Sequence, residues 1–173
     1  MKSSITLDFI EELKEKFCFV DQNKMESESL ESVQQHDFEL PDSTVISLTN
    51  ERSKCPELLF SPKSANSQEK GLCDLVFDCI QPVEIELQKI LLENVHLVGG
   101  NTLFEGFEER VNAEVNLKTK HKIQVLAPME RMYSTWIGGS ILTCIGSFND
   151  NWIHRQDYSE VGPNITHRMG HLF

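Results

Sequence analysis

Apolar side chains near the start of the chain recur at spacings of three and four residues. This spacing places them on one face of a helix, so it predicts an amphipathic helix. The apolar positions are Leu7, Ile10, Leu13, Phe17 and Val20. The outer face of the predicted helix carries Glu11, Glu12, Lys14 and Glu15. A charge run of this kind is normally a solvated face.

An acidic stretch follows this helix. Residues 21–42 contain seven acids and one base, with too few apolar residues to fold alone, so we interpret the stretch as a mobile loop. Within and beyond it, residues 38–40, a turn at 41–43 and residues 45–48 predict a β-hairpin.

The central part of the chain alternates apolar periodicity with turn residues. Asn50 is a candidate cap for a short helix, and Pro56 opens a further turn that ends at Phe60. Residues 61–70 are polar and predict a surface loop, whereas residues 71–80 predict a helix. Pro82 suits the first turn of another helix. That helix would have one face made of Val83, Leu87, Ile90 and Leu91.

The second half of the chain has a strand–helix–strand–helix order. Residues 94–98 predict a buried strand that runs into Gly99-Gly100, and residues 122–126 predict another strand. A helix face between them comprises Leu103, Phe107, Val111 and Val115. A third apolar helix over 136–148 contains Gly138-Gly139, which favours close backbone packing over a groove edge. Short helices are expected at 156–161 and from Pro163 onward. This order predicts an α/β fold with some parallel pairing.

Composition narrows the class of protein. The 173 residues are 39% apolar and carry a formal charge of −11, which argues against nucleic acid or an anionic membrane as the main partner. No apolar run approaches a membrane span in length. The five cysteines are an odd number without a C-x-x-C pair, which predicts a reduced intracellular protein with buried thiols rather than disulfides or a zinc site.

The Gly99-Gly100 turn is the clearest candidate for binding chemistry. Two residues without Cβ allow backbone amides to approach a phosphate, and a following helix would offer its positive end. The spacing matches neither the P-loop nor the dinucleotide-binding pattern, so a simple tight turn is the alternative. We find no nucleophile elbow, paired carboxylates or metal-ligand spacing, and therefore predict no catalytic or metal-binding residue.

Eight segments, in order, carry a family resemblance. They are Glu12–Val20 (ELKEKFCFV), Glu39–Asp42 (ELPD), Asn50–Arg52 (NER), Cys55–Glu57 (CPE), Leu97–Gly100 (LVGG), Ala127–Arg131 (APMER), Tyr133–Leu142 (YSTWIGGSIL) and Gly162–Arg168 (GPNITHR). Together they resemble actin and the actin-related proteins, over nearly the whole chain but less than half of a complete actin.

The resemblance implies the C-terminal half of an actin-like α/β fold of the RNase H-like ATPase type, with an incomplete inner sheet and packed helices. Residues 1–37 would belong to the small outer subdomain, 38–130 to the large inner subdomain, and 131–173 to the barbed-end subdomain. The phosphate-loop hairpins and water-positioning residues of the family lie upstream of the matched part. The resemblance therefore implies that this chain alone is not an enzyme.

The same resemblance implies part of a site for ATP or ADP with Mg²⁺. In the family, residues matching Lys14 and Glu15 contact base and ribose, and the loop matching 99–104 passes phosphates and adenine. Met132 stands where a lysine usually flanks the adenine, and Asn101 replaces a threonine-like residue, so reduced affinity is expected. The implied site comprises Lys14, Glu15, Gly99, Gly100, Asn101, Leu103, Phe104 and Met132.

Two further implications concern assembly. The family's apolar inter-subunit loop corresponds to the polar segment Lys63–Lys70, and losing several buried side chains at roughly 1.5–3 kcal/mol each predicts poor filament formation. A groove for partner helices is matched by Ile137, Ile141, Leu142 and Ile145.

The implied protein is a cytoplasmic, cytoskeletal or complex-forming subunit, with a nuclear location as the alternative. Its partners would be actin or actin-binding proteins. A hydrolysing subunit completed by a longer form, and an unstable fragment, are the other readings.

Overall fold

The computed structural model describes residues 7–22, 35–40, 43–119 and 122–169. Most of the predicted mobile loop and the turn at 41–42 lie outside these residues. The chain separates into two compact units, residues 1–132 and 133–173. The division into 1–37, 38–130 and 131–173 stays a prediction.

The first unit contains five helices and four short strands among its described residues. The helices are α1 (Leu7–Phe17), α2 (Glu51–Phe60), α3 (Leu72–Ile80), α4 (Ile85–Leu92) and α5 (Phe107–Lys118). The strands are β1 (His36–Glu39), β2 (Val45–Leu48), β3 (Val95–His96) and β4 (Val125–Leu126). Short 3-10 helices lie at Pro62–Ala65 and Gly100–Leu103.

The hairpin and the parallel pairing are confirmed. Strands β1 and β2 pair antiparallel with Phe38 opposite Ile46, and β1 begins two residues earlier than predicted. Strands β3 and β4 pair in parallel, Val95 opposite Val125, as the strand–helix order predicted, although each is only two residues long. A mixed α/β fold with parallel pairing is therefore correct.

Helix α2 runs unbroken through Pro56, so the predicted separate turn at this proline is wrong. A proline lacks the N–H that would bond to the carbonyl four residues earlier. That carbonyl belongs to Arg52, and it accepts instead from the Phe19 amide at 3.1 Å. Asn50 makes no side-chain cap, and the Glu51 carboxylate accepts from the Thr49 amide and hydroxyl. A hydrogen bond from its own backbone, followed by these two from Thr49, lowers the pKa of Glu51.

Two predicted apolar faces are not part of the core. No residue of α1 is buried, and the buried residue of that pattern, Val20, lies beyond the helix end. Helix α4 begins at Ile85 rather than at Pro82, and its buried residue is Leu92 rather than the predicted face. The apolar periodicity located these two helices correctly, but it did not reveal which side of each helix the rest of the unit covers.

The core of the first unit lies around α5. Its buried members are Val20, Phe60, Cys73, Ile80, Leu92, Leu97, Phe107, Val111, Val115 and Ile123. The predicted start of this helix at Leu103 is wrong, because Gly100–Leu103 forms a 3-10 helix and α5 begins at Phe107. Gly106 separates them with a φ of 79°, and a Cβ there would lie 2.4 Å from the Val20 carbonyl oxygen, so only glycine fits this close approach.

A buried ion pair crosses the core. The Arg110 guanidinium donates to the Glu57 carboxylate at 3.1 Å, and both side chains are about 5% exposed or less. Arg110 also donates to Glu114 and to the Asp21 carbonyl, and it lies over the Phe60 ring. These contacts connect α5 to α2 and to the segment that follows α1.

The second unit contains three helices among its described residues. They are α6 (Ser134–Cys144), α7 (Arg155–Val161) and α8 (Ile165–Met169), with 3-10 turns at Gly146–Asn151 and Gly162–Asn164. Gly138 and Gly139 lie inside α6 as predicted, but apart from adjacent residues and the backbone of α6 itself, no described atom lies within 4 Å of a Cβ built at either position. The predicted close backbone packing at this pair is therefore wrong for the described residues.

The cysteines are less buried than predicted. Only Cys73 is buried; Cys18 is half-buried, and Cys55, Cys79 and Cys144 are exposed, all as free thiols. Among the described residues, no helix has the length and apolar character of a membrane span.

Candidate functional site

A pocket of about 390 Å³ lies between α1 and the segment that follows β3. Its lining comprises Glu11, Lys14, Glu15, Gly100, Asn101, Leu103, Phe104 and Met132. The structure thus brings together every residue of the predicted nucleotide site except Gly99, which begins the loop with a φ of 93°. Pockets of this size hold small molecules and cofactors.

Helix α1 supplies the charged wall of the pocket. Glu11, Lys14 and Glu15 are spaced by three and four residues and therefore share one helix face. Glu11 was not predicted, although its spacing from Lys14 and Glu15 was a signal for it. The interpretation of this helix face as merely solvated is incomplete, because the face lies across the pocket from the segment that follows β3.

Backbone hydrogen bonds hold the end of α1 in place. The Phe19 amide donates to the Arg52 carbonyl, and the Arg52 guanidinium donates to the Phe17 carbonyl at 2.8 Å. The Val20 amide then donates to the Glu105 carbonyl at 2.8 Å, where Phe19 and Glu105 form a parallel bridge. Glu105 directly follows Phe104, so one wall of the pocket is attached to the end of the other.

Arg131 holds the loop that forms the second wall. Its carbonyl accepts from the Gly99 amide at 2.8 Å, and its guanidinium donates twice to the Thr102 carbonyl at 3.2 and 3.3 Å. The same guanidinium donates to the Ala127 and Pro128 carbonyls. The Thr102 hydroxyl closes the turn by donating to the Gly99 carbonyl at 2.7 Å. Arg131 is a positioning residue that the motifs contained but whose role was not predicted.

The lining combines apolar and charged chemistry. Leu103, Phe104 and Met132 offer an apolar surface suited to a flat base, while a Glu15 carboxylate can accept from ribose hydroxyls. The charged residues of the lining are one cation, Lys14, and two anions, Glu11 and Glu15. The lining therefore has a formal charge of −1. This surface fits the base and ribose of a nucleotide better than its phosphates.

The expectation that no residue of the chain binds a metal stays a prediction. Within 7–22, 35–40, 43–119 and 122–169, no three His, Cys, Asp or Glu side chains are grouped as a metal would require. Mg²⁺ bound with a nucleotide relies mainly on phosphate oxygens and water, with one or two carboxylates. Two carboxylates, Glu11 and Glu15, line the pocket, so the described chain offers few ligands of its own.

The residues of the predicted partner groove lie on and just after α6 in the second unit. Ile141, Leu142 and Ile145 are exposed, and Ile137 is half-buried. Ile137 and Ile141 are four residues apart and share a helix face. Trp136 is 75% exposed beside them, so this unit carries several large apolar side chains on its surface.

A comparison with protein-family models agrees with the family resemblance of the eight segments. The model of the family described as Actin matches residues 1–171 of the 173-residue chain. Members of this family generally bind a nucleotide together with Mg²⁺, and the predicted actin-like α/β fold is confirmed by this match. The chain belongs to the actin family.

Proposed function

We propose that this chain is an actin-like, complex-forming subunit that holds a nucleotide by its base and ribose and does not hydrolyse it on its own. The observation that supports this proposal is the pocket between α1 and the loop 99–104. In it, Lys14 and Glu15 face Leu103, Phe104 and Met132. ATP or ADP is the ligand class, with Mg²⁺ carried by the phosphates.

Charge supports a weak rather than a tight complex. The lining carries a formal charge of −1 and the whole chain −11, whereas a triphosphate is itself polyanionic. Strong binding of a triphosphate requires positively charged side chains near its phosphates. Lys14 is the single cation among the described lining residues, so most of the affinity would come from the base and ribose.

The non-catalytic part of the proposal rests on the same lining. Phosphoryl transfer requires phosphate and metal clamps and a positioned water. The described lining offers one lysine and no arginine, which does not neutralise the charge of a transferring phosphoryl group. If a longer form of the chain or a partner contributed those groups, the result would be an actin-type ATPase.

Thermal unfolding with and without ligand tests this proposal. The full chain is heated with Mg-ATP, Mg-ADP or adenosine, since a ligand at a hundredfold excess over its Kd stabilises the folded state by about 2.7 kcal/mol. We expect all three to raise the midpoint, adenosine nearly as much as ATP, and no phosphate release above the buffer control. Phosphate release that falls in a Lys14→Gln variant would refute the non-catalytic part. A cooperative transition indifferent to all three would refute binding.

The exposed apolar residues of α6 support a second role in binding partners. Large exposed apolar groups on a small unit mark interaction surfaces. We propose that Ile141, Leu142 and Ile145 contact actin or an actin-binding protein in the cytoplasm, with the nucleus as the alternative location. Retention on immobilised monomeric actin should be lost in Ile141→Glu and kept in Thr143→Glu, which is exposed on the same helix. Equal retention of both variants would reject this surface.

The polar segment Lys63–Lys70 supports a third element of the proposal, poor filament formation. The segment is largely exposed, and Lys70 pairs with Asp78 rather than presenting an apolar side chain. We expect the chain to remain in the supernatant when actin is polymerised and pelleted. Co-pelleting in near-equal proportion to actin would refute this element.

A further inference from the structure

Two thiols meet where α1 ends against α2. Cys18 directly follows α1, and both of its neighbours are bound to one residue of α2: the Phe17 carbonyl accepts from the Arg52 side chain, and the Phe19 amide donates to the Arg52 carbonyl. Cys55 lies three residues after Arg52, which is about one helical turn along the same side of α2. The Cys18 and Cys55 thiols lie near enough to interact, since Cys55 adds to the rise that burial causes in the pKa of Cys18.

We propose that Cys18 and Cys55 form a reversible intramolecular disulfide when the chain meets a peroxide. The chemistry has two steps. The Cys55 thiolate attacks one oxygen of hydrogen peroxide and becomes a sulfenic acid, releasing hydroxide. The Cys18 thiolate then attacks the Cys55 sulfur, the S–S bond forms and a second hydroxide leaves. The two sulfurs lose two electrons, the peroxide gains them, and the two thiol protons convert both hydroxides to water.

Exposure gives the two sulfurs different parts in this reaction. Cys55 is exposed and can meet a dissolved oxidant, whereas Cys18 is half-buried. Burial raises the pKa of Cys18 to about 11, with the neighbouring Cys55 adding to the rise and the Arg52 and Lys14 charges opposing it. Cys18 is therefore a slow first target for the peroxide, so we assign the first step to the exposed Cys55.

The other thiols do not offer an equivalent pair. Cys73 is buried, and the neighbour that adds to the burial-raised pKa of its thiol is the Glu114 carboxylate rather than another cysteine. Cys79 and Cys144 are exposed, which makes them suitable controls for oxidation that depends on exposure alone. What distinguishes Cys18 and Cys55 is their contact with each other.

The disulfide would fix the end of α1 to α2. It closes the chain from residue 18 to residue 55, a loop long enough for a substantial reduction in the entropy of the unfolded chain. The midpoint of thermal unfolding should therefore rise by several degrees on oxidation. Lys14 and Glu15 lie within four residues of Cys18, so a change in nucleotide affinity on oxidation is a further consequence, and that consequence alone rests on the proposed function.

Peptide mapping tests the disulfide directly, without reference to nucleotide. The reduced full chain is treated with a small excess of hydrogen peroxide, remaining thiols are alkylated, and trypsin is added without reductant. Cleavage after Lys16, Lys24, Lys54 and Lys63 yields peptides 17–24 and 55–63, which we expect to be linked and to separate with dithiothreitol. A Cys55 found as sulfinic acid, linked to another cysteine, or alkylated in full would overturn the proposal.

A matched pair of variants adds a second readout. Oxidation should raise the unfolding midpoint of Cys79→Ser as it does in the wild-type chain, and it should not raise that of Cys55→Ser. Dibromobimane, which fluoresces strongly once both of its bromines have been replaced by neighbouring thiols, should label the reduced wild-type chain and Cys79→Ser. A Cys55→Ser chain that is labelled equally, or stabilised equally by peroxide, would overturn the pairing.

Discussion

The amide of Phe19 donates a hydrogen bond to the carbonyl oxygen of Arg52 at 3.1 Å. In a regular helix this carbonyl would accept from residue 56, but residue 56 is a proline and has no N–H. The proline thus leaves an acceptor at the surface of α2 that the chain after α1 uses. The contact fixes the helix whose Glu11, Lys14 and Glu15 form one wall of the pocket.

Restoring a cation at Met132 should strengthen nucleotide binding. Met132 lines the pocket and is 45% exposed, so a lysine fits there and changes the formal charge of the lining from −1 to zero. Partly exposed charge pairs contribute up to about 1 kcal/mol, so we expect the Kd for ATP to fall by up to about fivefold in Met132→Lys. Isothermal titration measures it.

The control for this prediction is Met129→Lys. Met129 is 92% exposed and lies outside the pocket, yet the substitution makes the same change in net charge. A Kd that falls equally in both variants would mean that ATP responds to the overall charge of the chain and not to this pocket.

Arg131 should control the loop rather than the stability of the unit. Its guanidinium donates to the carbonyls of Thr102, Ala127 and Pro128, and a lysine cannot reproduce this planar fork. We expect Arg131→Lys to weaken ATP binding by about tenfold, since the loop then lacks one or two hydrogen bonds of roughly 1 kcal/mol each. Arg155→Lys in the second unit is the control, and equal affinities in the two variants would contradict this role.

Removing the Arg110 side chain should destabilise the first unit strongly. Arg110→Met removes the guanidinium from a buried ion pair with Glu57, and breaking such a pair costs about 3–5 kcal/mol. Denaturant unfolding should show this loss, and Arg110→Met combined with Glu57→Leu should recover much of it. Lys16→Met breaks an exposed pair with Glu12 and should cost less than about 1 kcal/mol. Similar losses of unfolding free energy in Arg110→Met and Lys16→Met would show that burial of the Arg110–Glu57 pair does not set the size of the effect.

The Cys73 thiol should make stability depend on alkaline pH. Burial, with help from the Glu114 carboxylate, raises the pKa of Cys73 from 9.0 to about 12. The folded chain keeps a proton that the unfolded chain releases, so this contribution is complete below pH 9 and is lost as the pH rises toward 12. The free energy of unfolding should fall over that window less steeply in Cys73→Ala. The control is Cys79→Ala, which removes an exposed thiol from the same helix and should keep the wild-type slope of unfolding free energy against pH. Equal slopes in all three proteins would contradict the account.

Local patterns predicted the helices, the hairpin and the parallel pair because these depend on spacing and turn residues within a few positions. The continuous helix through Pro56 could not be predicted in this way, because the Arg52 carbonyl finds its partner in a distant part of the chain. The start of α5 likewise depends on the approach of Gly106 to the Val20 carbonyl. Both are tertiary contacts that override local propensity.

The pocket was predictable only in part, for a related reason. The family resemblance gave Lys14, Glu15 and the loop 99–104, and helical spacing alone would have added Glu11. The role of Arg131 required knowledge of where the Thr102 carbonyl points, which no motif contains. Exposure of the apolar residues on α1 and α4 was also unpredicted, because periodicity identifies a face without identifying what packs against it.

Photolabelling with 8-azido-ATP tests the central claim most directly, namely that this chain holds a nucleotide between α1 and the loop 99–104. The azide lies on the adenine, so light attaches it to residues beside the base, and peptide mapping then locates it. We predict label within residues 11–15, 99–104 or at Met132, displaced by excess ATP. Label elsewhere in the chain, or label in this region that excess ATP does not displace, would contradict the claim.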